Sequence, residues 1–168
     1  LIPLLDKKGR VKELLERCDV LPRAKKNTND VVIMAGGKGL RLKPHTDKCP
    51  KPMLPINGKP MLEIILEKCI AFGFTNFYFS VNYLKDQIIN YFGNGKKWGI
   101  KINYIFEEYP LGTAGSLKLL PKEIKGPILV LNGDIMTNLN LRLFIEFHKK
   151  NNAQMTIAAK NEAYTIPY

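Results

Sequence analysis

A short apolar run opening straight into a glycine cluster constrains this chain more than any other feature. Val31-Val32-Ile33-Met34 is β-branched and uninterrupted, the pattern of a strand buried on both faces of a sheet. After it come Ala35, Gly36, Gly37 and Gly39, and glycines let a backbone turn sharply and bring its N–H groups close to an anion. Arg41 adds a planar guanidinium suited to bidentate phosphate contact. Lys51, held between Pro50 and Pro52, adds a point charge on a stiffened segment. Residues 31–56 therefore read as a candidate site for a nucleoside triphosphate.

A glycine-rich turn after a strand is often purely structural, so the finer pattern decides. A P-loop needs a Lys-Ser/Thr pair directly after its last glycine, whereas Lys38 is followed by Gly39 and Leu40. The dinucleotide fingerprint also fails, because its third glycine is absent and no acidic residue closes a following strand about twenty residues on. The run does follow another pattern: Gly36-Gly37-Lys38-Gly39-Leu40-Arg41-Leu42-Lys43-Pro44-His45-Thr46, then Pro50-Lys51-Pro52-Met53-Leu54-Pro55-Ile56. Nearly position for position, it resembles the signature of the sugar-1-phosphate nucleotidyltransferases, G-G-x-G-x-R-L-x-P-x-T followed by P-K-P-M/L-L-P-I.

The chain has 168 residues, 45% of them hydrophobic, enough for one sizeable core. Its formal charge of +11 suits an anionic partner, but the lysines fall in scattered pairs with no dense arginine-aromatic tract, which argues against a nucleic-acid partner. Cys18, Cys49 and Cys69 form no C-x-x-C pair and have no histidine cluster to complete a zinc site, so they read as free thiols of a reducing compartment. His45 is the one neighbour that could form a nucleophilic dyad with Cys49; a free thiol is the expectation. No apolar run reaches membrane-spanning length and the N-terminus lacks a signal-peptide pattern. A soluble, cytoplasmic protein without a membrane partner is expected. A homo-oligomer is compatible with the sequence.

Residues 1–22 begin with a short strand, Ile2-Pro3-Leu4-Leu5, a polar turn, and an apolar stretch through Val11, Leu14 and Leu15. The pattern I-P-L-L-D-x-x-G-R-V resembles the closing section of a CBS domain, and the alternative is a plain N-terminal extension. Residues 23–29 read as a linker, and residues 30–168 as the nucleotide-binding part of the main domain. Beyond the signature the pattern alternates. A helix is expected over 60–72 with Pro60 at its first position, a strand over 77–81, a helix over 84–92 and a strand over 100–106. There follow a helix over 113–120, a strand over 128–132, a helix over 141–150 and a last strand over 155–159. This alternation implies an α/β fold, Rossmann-like and three-layered (α/β/α), with a mostly parallel sheet, helices on both faces and ligands at the carboxyl ends of the strands.

Two further places lie on that rim. Leu111, Gly112, Thr113, Ala114 and Gly115 introduce the expected helix at 113–120, whose first amides could meet a base or a phosphate, although the same run also reads as a simple helix cap. Asn132-Gly133-Asp134 ends the apolar strand at 128–132 and places a carboxylate where a hard cation such as Mg²⁺ could sit, or where a turn aspartate stabilises its own backbone.

The resemblance adds the rest. It implies that the L-G-T-A-G run (Leu111, Gly112, Thr113, Gly115) lines the base pocket, in a form most like that of the GDP-sugar-forming guanylyltransferases. Asp134 would be the first metal carboxylate, with Gly133 beside it. It further implies joining of a nucleoside triphosphate, GTP favoured, to a sugar-1-phosphate, with release of pyrophosphate, for glycan precursor synthesis. Arg41, Lys51 and Asp134 would carry the chemistry with Mg²⁺. A thymidylyl- or uridylyl-transferring member and a non-catalytic nucleotide sensor are the alternatives. In this family a second metal aspartate and the sugar-binding residues would lie past Tyr168, so a truncated domain with poor turnover on its own is expected.

Overall fold

The computed structural model describes residues 2–5, 8, 10–15, 26–109 and 111–161. Strands β1 (Ile2–Leu5) and β2 (Val11–Leu15) form an antiparallel hairpin, so the apolar stretch after the first turn is a strand. The main sheet has the order β7-β6-β3-β8 and is parallel throughout. Its members are β3 (Val31–Met34), β6 (Asn76–Val81), β7 (Lys101–Phe106) and β8 (Leu129–Asn132). The fully buried, β-branched β3 lies inside the sheet, as its uninterrupted apolar run requires.

Alternation along the strands separates two faces. On one face Val31, Ile33, Phe77, Phe79, Val81, Ile102 and Leu129 form a single core with three helices: α1 (Met61–Ala71), α2 (Lys85–Phe92) and α3 (Leu141–Lys150). Phe79 is fully buried and meets Phe92 edge-on, with ring centroids 5.3 Å apart. The second face carries Val32, Met34, Ser80 and Ile105, and the crossover after β7 reaches it where Glu107 meets Ser80 and Ser116 meets Met34. This gives the expected three layers, although the α-helices described all pack into the first core.

Most element boundaries fall within a residue or two of those expected, and three readings change. Pro60 precedes α1, in the two-residue strand β5 (Lys59–Pro60), which pairs with β4 (Pro55–Ile56) through the left-handed Asn57 and Gly58. The helix expected over 113–120 is a 3-10 turn, Gly115–Leu119, closed by Leu117 N–H to Ala114 O (3.1 Å) and Leu120 N–H to Leu117 O (3.2 Å). Pro121 cannot donate the next bond, and this piece is too short to settle into an α-helix. Residues 155–159 are not a strand: no described backbone pairs with them, and Thr156 instead bonds its side chain to His148 (2.9 Å). Met155 and Ile157 stay exposed on either side of it.

Of the stretch read as a linker, residues up to 25 lie outside the described ones. Asn27 bridges to Phe74 and Asn29 is buried, its amide on Pro127 O and its carbonyl receiving Lys149. Asn27 and Asn29 are thus tied to the elements around the main sheet. Among the described residues no helix is long and apolar enough to cross a membrane.

Candidate functional site

The chain runs β3 to β6 to β7 in one direction, then returns past β3 to place β8 on its other side. The strand order therefore reverses between β3 and β8, and in open parallel sheets a crevice forms outside the carboxyl ends at such a point. A cavity of about 480 Å³ lies there. From β3 and its loop come Met34, Ala35, Gly36, Gly37 and Arg41. The next loop supplies Lys51 and Pro52, the crossover Glu107, Gly112 and Thr113, and the end of β8 Asn132, Gly133 and Asp134.

Backbone pairing carries the loop out of the sheet. Ala35 N–H reaches Ser80 O (2.8 Å) and Gly133 N–H reaches Met34 O (2.8 Å), so both neighbours of β3 fix where its loop departs. Gly36 then passes close to the neighbouring elements: a Cβ there would sit 3.1 Å from Glu107 Oε1 and 3.3 Å from Asn82 Cβ. At Gly37 a Cβ would meet no atom within 4 Å, which leaves that stretch of backbone open to the cavity. The chain turns at Gly39, in the left-handed region (φ 62), into the 3-10 turn Leu40–Leu42 that presents Arg41.

A second 3-10 turn, Lys51–Met53, follows the extended Pro50 and directs Lys51 across the crevice, where its ammonium pairs with Asp134 Oδ2. Both side chains keep about a third of their surface exposed (34% and 30%). Asp134 Oδ1 has no partner among the described residues, and neither does the Arg41 guanidinium. Facing them, Glu107 is held at both oxygens, Oε1 by the Ser80 hydroxyl and Oε2 by Leu111 N–H (3.2 Å). Each oxygen retains a further lone pair for a ligand donor.

The family model for nucleotidyl transferase matches residues 30–166. The chain belongs to the nucleotidyl transferase family. It is 36% identical over 129 residues to a mannose-1-phosphate guanylyltransferase of Mycobacterium tuberculosis, covering 76% of this chain and 36% of that protein. It is 35% identical over 148 residues to a UTP–glucose-1-phosphate uridylyltransferase of Synechocystis, covering 81% and 37%. Among solved structures it resembles HddC from Yersinia pseudotuberculosis complexed with GMP-PN, with a TM-score of 0.64 and 38% identity over 71% of this chain and 54% of that one. The chain thus spans between about a third and about half the length of these relatives.

Of the site residues read from the sequence, this nucleotidyl transferase chain brings Ala35, Gly36, Gly37, Arg41, Lys51, Gly112, Thr113, Gly133 and Asp134 to one cavity. Gly39, Leu111 and Gly115 do not line it. Gly39 stands behind the loop, where a Cβ would press within 2.9 Å of Thr46 Cγ2, and its carbonyl accepts the Thr46 hydroxyl (2.9 Å). Gly115 gives way to Leu111, whose Cβ would lie 2.8 Å from a Cβ at 115. The expected helix amides at 113–120 are also absent, since that element is a 3-10 turn of five residues.

Glu107 is the lining carboxylate that sequence reading missed. Its one signal is position, just past the end of β7 on the rim where ligands gather. Cys49 is not paired with His45 among the described residues: its thiol sits against Pro50 O (3.7 Å), and burial raises its pKa, which disfavours the nucleophilic thiolate.

Proposed function

We propose that this chain supplies the nucleotide side of a sugar-1-phosphate nucleotidyltransferase, with GTP as the preferred triphosphate. The observation that carries this reading is the meeting of Arg41, Lys51 and Asp134, from three separate segments, around one cavity floored by glycine backbone. In the reaction, an oxygen of the sugar-1-phosphate attacks the α-phosphorus in line. A new P–O bond forms, the α–β bridging bond breaks, and the electron pair leaves on pyrophosphate. No covalent intermediate is required. The loop amides near Gly36 and Gly37 cradle the phosphates and the Arg41 guanidinium binds them bidentately. Lys51 neutralises charge that builds at the α-phosphate. Positioning and charge therefore account for the rate.

For Mg²⁺ the donor set fits a cation that keeps most of its shell from water and phosphate. Among the described residues no group of three or more His, Cys, Asp or Glu side chains could cage a metal. Asp134 offers one unpartnered hard oxygen, the kind of single-carboxylate anchor that Mg²⁺ uses beside phosphates. When bound there, the ion would polarise the phosphoryl oxygens.

The preference for guanine rests on Glu107. Guanine presents an adjacent N1–H and N2–H₂ on its pairing edge, and a carboxylate with two free lone-pair sites accepts both, whereas uracil and thymine present a single ring N–H. The guanylyltransferase relative and the GMP-PN complex of HddC support this choice. The test is a calorimetric titration of the chain with GTP, ATP, UTP, CTP and dTTP in Mg²⁺, repeated with Lys51→Ala, Asp134→Ala and Glu107→Gln. GTP should bind best, the first two substitutions should weaken every triphosphate, and Glu107→Gln should erode the preference for guanine. Equal binding of all five triphosphates by the wild type would overturn the guanine assignment.

A further inference from the structure

Residues 82–87, the corner between β6 and α2, make contacts that the reaction outlined above does not use. The Tyr83 hydroxyl lies 3.0 Å from both Thr46 O and Asp47 O, so one O–H is shared between two consecutive carbonyls of the signature loop. The Gln87 amide donates to Lys48 O at 2.8 Å. Three successive carbonyls are thereby held from one element. The stretch they hold runs directly into Pro50 and Lys51.

The same corner also reaches the other wall of the cavity. Asn82 donates its side-chain amide to Glu107 O (2.6 Å), and the Lys85 ammonium lies 5.2 Å from the Phe106 ring centroid. Leu84, between these contacts, occupies the left-handed region (φ 48, ψ 36), a conformation that costs a residue with a side chain and persists where the surroundings impose it. It turns the chain so that Tyr83 faces the loop while α2 starts at Lys85.

The geometry points to Tyr83 as a positioning residue: through the 46–48 carbonyls it fixes the Lys51 segment relative to the Glu107 wall, so that phosphate and base contacts are made together. This rests on the nucleotidyl transfer reading of the cavity. A tyrosine suits the task because its rigid ring spans the gap with few rotors and its one hydroxyl reaches both the Thr46 and Asp47 carbonyls. The alternative is that the contacts only anchor a surface loop, in which case their loss would register in stability and nowhere else.

The test is Tyr83→Phe, which keeps the ring and removes the donor, with Gln87→Ala as an independent second cut at an exposed residue. Two readouts are taken on the whole chain. Hydrogen exchange without ligand follows the turn amides of His45, Asp47 and Met53. Calorimetry follows GTP binding in wild type and in the Lys51→Ala background. We expect faster exchange at those amides and about fivefold weaker GTP binding for Tyr83→Phe. We also expect almost no further loss when Lys51 is already alanine, because the effect travels through Lys51. Unchanged exchange overturns the inference whatever the affinity. Faster exchange with unchanged affinity, or an equal loss in the Lys51→Ala background, reduces Tyr83 to a loop anchor and overturns it too. A wild-type chain that binds no triphosphate is a different failure, that of the reaction assigned to the cavity, and the positioning role falls with it.

Discussion

Two glycines of one loop, two residues apart, should respond in opposite ways to the same added methyl group. At Gly39 the backbone is left-handed (φ 62), and a Cβ would lie 2.9 Å from Thr46 Cγ2 and 3.0 Å from Lys51 Cβ. Neither neighbour is the free end of a flexible chain, and Thr46 is buried with 1% exposure. The left-handed residue costs about 1–2 kcal/mol and the overpacking about 1–3 kcal/mol, so Gly39→Ala should lose about 2–5 kcal/mol. At Gly37 the backbone lies outside the left-handed region and a Cβ meets nothing. Restricting the unfolded chain there should leave stability unchanged or raised by up to about 1 kcal/mol. The same methyl group would stand where a phosphate approaches the amides, and losing one charge-assisted bond weakens binding by about tenfold or more. Urea unfolding beside calorimetry with GTP reads both effects. Gly39→Ala should lower the midpoint by about 1–2 M, while Gly37→Ala keeps the midpoint and loses affinity. If Gly37→Ala binds GTP as well as wild type, the open backbone above that residue is not where phosphate sits, and the reasoning fails.

Phe79→Ala, which removes a fully buried ring packed edge-on against Phe92 and Tyr104, should cost about 3–5 kcal/mol, seen as a lowered urea midpoint. Burial pushes the Cys69 thiol from its ordinary 9.0 up to about 12, with Lys68 opposing weakly. The native thiol therefore keeps its proton while the unfolded one loses it, and stability falls as pH rises from about 9 to about 12. The gap in unfolding midpoint between wild type and Cys69→Ala should accordingly shrink between about pH 8 and about pH 10.5, and a constant gap would contradict it. Asp134→Asn should abolish the dependence of GTP affinity on Mg²⁺ while leaving the unfolding free energy within about 1 kcal/mol of wild type, because its ion pair is partly exposed. On the proposed nucleotidyl transfer, Lys51→Ala should slow pyrophosphate release by on the order of a hundredfold.

What the sequence made legible was whatever local chemistry punctuates. Gly73 and Gly93 stop α1 and α2, and β3 declares itself by its unbroken β-branched run. The failures lie where tertiary context decides. Residues 155–159 alternate like a strand, but a strand exists only against a partner backbone. Residues 113–120 have helical spacing, yet Gly115 and Ser116 followed closely by Pro121 leave room for a 3-10 turn alone. Asn57-Gly58 is a strong hairpin signal that the sequence reading passed over in favour of a helix from Pro60; both residues take the positive φ that a tight primed turn needs. Glu107 carried no local signal. A lone glutamate after a strand is ordinary until the sheet order shows which strand ends share a crevice.

That order also separates the two jobs of the Gly133-Asp134 pair. A Cβ at Gly133 would lie 2.9 Å from Met34 O and 3.4 Å from Ala35 Cα, and backbone atoms cannot swing aside as a side chain can. Glycine is therefore needed so that the end of β8 closes on β3, where Gly133 N–H reaches Met34 O at 2.8 Å. Without that closure the register Met34↔Asn132 would open at the rim, and Asp134 would stand off from Lys51, which lies 83 residues earlier in the chain. The carboxylate supplies the charge, but the missing side chain before it sets the distance at which that charge acts. The glycine loop after β3 follows the same logic, with Gly39 holding the loop in place and Gly37 leaving its amides bare.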